Sequence, residues 1–293
     1  MSIFNTDKIL SSLDDGELKL RLRNVCHVAL DLDGTVYTDS TILPNSLGFL
    51  EMLSQRGIGH SFLTNNSSRG SQDYLPHLQK MGIPAEASHI YTSADATIEF
   101  LKHEMPQVRS IWLLGTPSLS KQFRDYGFIV YDGHGDLSDY TEPDVVILGF
   151  DRTLTFDRIC RAAWWIAQGK PYLATHPDKI CPTKEDTVLV DCGAVIAALA
   201  KATGRKPDAI LGKPDPRMLD GICKRHGIKR NELAMVGDRL YTDMAMAQRA
   251  GALSVLVLTG EATAEEATQM PEVPDLILDD LGVFGQLLEE SLE

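Results

Sequence analysis

No stretch of this chain reaches the ~18 consecutive apolar residues that a membrane-crossing helix needs. The amino-terminal run MSIFNTDKILSSLDDGE is acidic and has no long apolar core, so no secretory signal is expected either. Positive charge is scarce: 28 Lys and Arg stand against 41 Asp and Glu, a net charge of −13. Such a surface repels nucleic acid and anionic membranes, so neither is expected as a partner. Any anionic substrate must be held by local groups. Cysteine is sparse as well. Cys26, Cys160, Cys181, Cys192 and Cys223 are odd in number and include no C-x-x-C pair. Free thiols in a reducing cytoplasm are the simplest reading. No G-x-G-x-x-G follows a strand. LGKP at 211–214 is not a P-loop: Pro207 stands where the first Gly belongs, and Pro214 replaces the Ser or Thr. There is no internal repeat.

What is present is ample core material. The chain has 293 residues, 43% of them hydrophobic, enough for about two domains. Its organising stretch is VCHVALDLDGTVY at 25–37. A short apolar run there reads as a buried strand. It ends in Asp31 and Asp33, which face the same way because strand residues i and i+2 share a face. Gly34 then lets the chain leave sharply. Two like charges held together need a positive partner, and a hard divalent cation such as Mg²⁺ suits carboxylates, water and phosphate.

The rest alternates strand and helix. Leu18, Leu20 and Leu22 alternate as in a strand, although a short helix fits too. A helix is expected from Pro44 to about residue 55. A strand follows at 59–64, then a helix to about 81, capped by Ser67 or Ser68. Further on, 176–188 reads as a long loop and 192–203 as a helix. Asp215 and Pro216 are placed to open another helix. A strand ends at Asp238, and one helix is expected from there to about Ala250. The alternation predicts an α/β fold with a parallel sheet, in which ligands bind beyond the carboxyl ends of the strands. The pattern divides into a core formed by 1–92 and 206–293, with an inserted α/β unit at 93–205.

Four stretches occur in order: DLDGT at 31–35, LTNN at 63–66, LGKP at 211–214 and GDRLYTD at 237–243. The set resembles the haloacid-dehalogenase-type phosphohydrolases. The α/β unit inserted between the second and third resembles their class IIA, NagD-like branch of nitrophenyl-, phosphoglycolate-, pyridoxal-phosphate- and nucleotide-phosphatase types. The resemblance implies a Rossmann-like core with an inserted cap. It also implies a cytoplasmic Mg²⁺-dependent phosphomonoesterase that forms an aspartyl phosphate. Asp31 would be the nucleophile. Asp33 would protonate the leaving alcohol and then deprotonate the attacking water. Thr64 and the backbone N–H groups of Asn65 and Asn66 would hold phosphate oxygens, and Lys213 would offset charge. Asp31, Asp238 and the backbone carbonyl of Asp33 would hold the metal. Asp243 would act through water or steady Lys213.

The inserted unit would cover the site and select the leaving group. His176 and Asp178 are the candidates for contacting it, with Asp151 and Arg152 next. His27 and His60 read as core or surface residues. The implied partner is a small phosphorylated metabolite, with a homodimer formed through the cap. Two other readings stay open: phosphoryl transfer to a sugar acceptor, as in a phosphotransferase or mutase, and a phospho-ligand binding protein without catalysis.

Overall fold

The computed structural model describes residues 9–134, 141–182 and 186–293, without the side chains of Ser71 and Pro182. The first eight residues of the lead-in, 135–140 of the GHGDLSDYTEP loop, and 183–185 lie outside them. The chain is of mixed α/β class. By internal contacts it forms two compact units. One comprises Met1–Leu63, Leu75–Tyr91 and Pro214–Glu293; the other comprises Thr64–Tyr74 and Thr92–Lys213. The expected insert began at 93 and ended at 205. The second unit runs to Lys213 and also takes in 64–74.

The first unit is built on a seven-stranded sheet. Its order is Ile9–Ser11, Leu276–Leu278, Leu253–Val257, Leu233–Gly237, His27–Asp31, Gly59–Thr64 and Ile90–Thr92. His27–Asp31 lies inside it, parallel to Leu233–Gly237 on one side and Gly59–Thr64 on the other. Val28, Ala29 and Leu30 are fully buried, as a strand covered on both faces requires. Leu30 pairs with Val236, and Asp31 with Leu63. Asp31 and Asp238 therefore leave the carboxyl ends of neighbouring strands.

Of the two forms open to the segment around Leu18–Leu22, the helix is the one adopted, Asp15–Asn24: Asp14 accepts the Glu17 N–H at 2.8 Å, and Leu18 and Leu22 bury one face while Leu20 is exposed. Two expectations are corrected here. The helix after Thr64 begins at Ser71, so neither Ser67 nor Ser68 caps it. Ser68 donates to the Asn66 side chain instead, at 2.6 Å. The single helix expected after Asp238 is a π-helical turn, Leu240–Met244, followed by Ala245–Ala250. Two other helices follow expectation. Ser46–Arg56 ends at Gly57 with φ +69°. Asp215 accepts the Arg217 N–H at 2.9 Å at the head of Arg217–His226.

The second unit has a five-stranded parallel sheet ordered Ala209–Ile210, Tyr172–Ala174, Val145–Leu148, Ser110–Leu114, Ile129–Tyr131. Trp112, Val146, Leu148, Ile166, Tyr172 and Leu199 are among its core. The segment expected as one long loop contains strand instead. Ile180–Pro182 pairs antiparallel with Val188–Val190, and the Asp191 N–H closes the ribbon on Lys179 O at 3.0 Å. Both strands have only three residues, too few to show a periodicity. Among the described residues no helix is long and apolar enough to cross a membrane. No cysteine is in a disulfide.

Candidate active site

The first unit gathers three buried carboxylates. Asp31, Asp238 and Asp243 each present an oxygen within 4.8 Å of the other two. Asp31 is the last residue of its strand, and Asp238 follows the last residue of the next one. Asp243 enters from the π-helical turn, whose extra residue turns its side chain inward. Close backbone approach makes the cluster compact. Gly34 holds φ +89°, and a Cβ there would lie 2.4 Å from Asp238 Oδ2. A Cβ at Gly260 would lie 2.0 Å from the same atom. Both positions need glycine for room, and Gly34 needs it for its backbone too.

Like charges so close are costly: about 4 kcal/mol for a pair at 4 Å under a surface-like effective dielectric. Burial accordingly raises the Asp238 carboxyl well above its ordinary value, and the charges of Asp31 and Asp243 raise it further. Asp238 Oδ2 accepts the Glu261 N–H at 2.8 Å, while Asp238 Oδ1 is buried with no hydrogen-bond partner. A buried, unsatisfied carboxylate oxygen beside two other carboxylates fits a hard divalent cation.

Asp33 follows Asp31 by two residues, with the Asp39 N–H 3.3 Å from its Oδ1. Its edge is open to solvent, yet packing behind it removes enough water to raise its carboxyl above the usual range. Sequence reasoning quoted GDRLYTD but gave Arg239 no part, and it missed Glu261. Burial alone would make Arg239 less basic; the charges of Asp31 and Asp238 outweigh that and raise it. Its Nε lies 3.0 Å from Glu261 Oε2, which also accepts from the Tyr241 hydroxyl at 3.2 Å. The motif's arginine was the available signal.

The second unit gathers the other expected residues in two groups. Asn65 is a clamp. Its Oδ1 accepts the Lys213 N–H at 2.8 Å, and its Nδ2 donates to Lys213 O at 3.0 Å and to both Asp178 oxygens at 3.2 Å. A Cβ at Gly212 would sit 2.5 Å from Asn65 Oδ1, so the glycine makes this approach possible. The Thr64 hydroxyl accepts the Asn66 N–H at 3.1 Å, and Asn66 Oδ1 takes the Ser68 N–H at 3.0 Å. Thr64, Asn65 and Lys213 are buried.

His176 is in the second group, and direct contact with a leaving group is not what its geometry offers. The ring is fully buried, with Nδ1 2.8 Å from the Thr175 hydroxyl and Nε2 2.9 Å from Asp191 Oδ1. Both nitrogens are engaged. Asp151 is likewise occupied: its carboxylate meets Arg158 Nη1 at 2.6 Å and accepts from the Thr153 hydroxyl at 2.6 Å. Arg152 is exposed. In the first unit His27 is buried and His60 half-buried. The His27 ring stacks on His226 and the His60 ring on His89, each pair with centroids 4.2 Å apart.

Residues 28–129 match the haloacid dehalogenase-like hydrolase family, and residues 210–283 match a second, HAD-hydrolase-like family. Among solved structures, a 4-nitrophenylphosphatase from Thermotoga maritima is 43% identical with a TM-score of 0.83, covering 91% of this chain and 98% of that one. A glycerol phosphate phosphatase from Mycobacterium tuberculosis, in complex with magnesium, is 28% identical with a TM-score of 0.82, covering 92% of this chain and 79% of that one. An acid sugar phosphatase from Staphylococcus saprophyticus is 29% identical over 269 residues, 92% of this chain and the whole of that protein.

Proposed function

Since the chain belongs to the haloacid dehalogenase-like hydrolases and is a phosphatase, we propose that it hydrolyses the monoester of a small phosphorylated metabolite through an aspartyl phosphate, with Mg²⁺ as cofactor. The observation that carries this reading is the buried trio Asp31, Asp238 and Asp243 with the unpartnered Asp238 Oδ1. These carboxylates, with the Asp33 backbone carbonyl, would hold the cation. When bound, it would offset the charge of carboxylates and phosphate.

The residues then divide the chemistry. Asp31 attacks phosphorus, and the alcohol leaves with a proton from Asp33. A carboxyl raised above its usual range is suited to carrying that proton. Asp33 next takes a proton from the water that cleaves the acyl phosphate. Thr64 and the Asn65 N–H hold the phosphoryl oxygens, the Asn66 N–H being given to the Thr64 hydroxyl, with Lys213 opposing their charge. Asn65 contributes by fixing the Lys213 backbone, and Asp178 remains the residue assigned to leaving-group selection. Residues 93–205 act as the cap. The relatives' names make sugar and polyol phosphates the first class to screen.

Turnover of p-nitrophenyl phosphate tests the proposal. Activity should require a divalent cation, vanish with EDTA and return with excess Mg²⁺. Full activity in EDTA would overturn it, and binding without turnover would favour a phospho-ligand binding protein.

A further inference from the structure

An unbroken hydrogen-bonded line crosses the second unit at the end of Tyr172–Ala174. Asp191 Oδ1 lies 2.9 Å from His176 Nε2, His176 Nδ1 lies 2.8 Å from Thr175 Oγ1, and Thr175 Oγ1 lies 3.1 Å from Ser67 Oγ. Ser67 Oγ in turn accepts the Phe150 N–H at 2.9 Å. Ser67, Thr175 and His176 have no exposed surface, and Asp191 has 5%.

One proton arrangement closes along this line. With Asp191 ionised and His176 neutral, the ring carries its proton on Nε2 and offers Nδ1 as an acceptor. The Thr175 hydroxyl then donates to Nδ1, and the Ser67 hydroxyl donates to Thr175 Oγ1. The Phe150 N–H fills the last acceptor. Each link has one proton and none is left over, the condition under which a buried polar network fixes one arrangement. Asp191 is itself anchored. It caps Cys192–Thr203 and accepts the Cys192 N–H at 2.5 Å, at the end of the helix that favours negative charge. At the far end, Ser67 lies three residues after Thr64.

We propose that the line from Asp191 through His176 and Thr175 to Ser67 sets the position of residues 64–67, so that Thr175 and His176 are positioning residues for phosphoryl binding. The inference rests on the phosphomonoesterase reading above. A small displacement of donors aimed at phosphate is expensive: about a 1 Å error can cost on the order of a hundredfold. A buried line with fixed polarity holds such donors without touching the substrate.

Thr175→Val keeps the shape and removes the link; Thr175→Ser keeps the link. The measurements are KM for p-nitrophenyl phosphate, the inhibition constant of inorganic phosphate and the Mg²⁺ activation constant. The valine variant should raise KM and the phosphate constant by about tenfold or more, while Mg²⁺ activation stays within about twofold. The serine variant should restore both constants. A folded valine variant with unchanged constants, or a serine variant as impaired as the valine one, would overturn the inference. If the valine variant does not fold, Ser67→Ala takes its place: it removes the hydroxyl that joins the line to residues 64–67, so the phosphate constant should rise in the same direction, and an unchanged constant would overturn the inference. Wild-type protein inert toward p-nitrophenyl phosphate with Mg²⁺ would sink the function reading instead. Calorimetric binding of phosphate to wild type and variants would still read the line.

Discussion

Two buried polar groupings, one in each unit, are partnered in opposite ways. In the first, three carboxylates converge and one oxygen, Asp238 Oδ1, has no hydrogen-bond partner. In the second, Asn65 and His176 are as deeply buried, and their side-chain polar atoms meet partners within the chain. The first arrangement is incomplete without a cation and marks where a ligand enters. The second is complete and marks where the fold holds something still. Burial alone does not separate a ligand-binding residue from a positioning one; the hydrogen-bond inventory does.

The largest expected effect is at Asp31. Asp31→Asn removes the attacking oxygen and one metal charge but little volume. Turnover should fall below about one per cent of wild type with the melting temperature kept. Activity of more than a few per cent would mean that another group is the nucleophile. Exchanges at Asp238 and Asn65 should then differ in sign. Asp238→Asn relieves repulsion, so the metal-free protein should melt higher while Mg²⁺ affinity falls at least about tenfold. Asn65→Ala strands the Lys213 N–H and carbonyl, so the protein should lose about 1–3 kcal/mol of stability. Thermal denaturation in EDTA checks both; shifts of the same sign would mean that the two groupings do not differ in this way.

A smaller, substrate-dependent effect is expected at Asp33. Asp33→Asn should slow an alkyl phosphate more than p-nitrophenyl phosphate, whose leaving group barely needs a proton. Equal losses on both would contradict an acid role.

These contrasts also show what the sequence could reveal. Asp31 was legible because a short apolar run sets its strand and the pleat sets its direction. Asp238 was legible because the strand Leu233–Gly237 repeats that pattern. Asp243 was legible as a motif residue but not as a neighbour of Asp31, because the π-helical turn that brings it inward breaks the ordinary helical period. The Asn65 clamp was hidden because its partner is 148 residues away. His176 suggested a ligand contact, while its partner, Asp191, lies 15 residues away and carried no signal of the pairing. Local periodicity shows elements and their ends; it does not show which polar atoms are already taken.

The last effect, confined to acid pH, concerns the first unit's histidines. Burial pushes His27 down to about 3 and His60 down to about 4, with His226 and His89 adding to both shifts. Arg225 lowers His226 further, and Glu86 partly raises His89. In the unfolded chain these rings titrate near 6.5, so below that pH the unfolded state binds more protons. Stability should be full above about pH 6.5 and fall on acidification toward 4, by up to about 1.4 kcal/mol per pH unit for each ring. Urea unfolding across pH 4–7.5 checks this. His27→Gln should flatten the decline, and an unchanged slope would remove the cluster from the account.

The central claim is that Asp31 carries the phosphoryl group beside a cation held by its own cluster. Its most direct test is chemical trapping. Asp33→Asn protein, slowed in hydrolysing the intermediate, is mixed with substrate and Mg²⁺, quenched in acid, reduced with borohydride and digested for mass spectrometry. The account predicts reduction at Asp31 alone, and none when EDTA replaces Mg²⁺. Modification at another residue, or none while the same sample still releases phosphate, would contradict it.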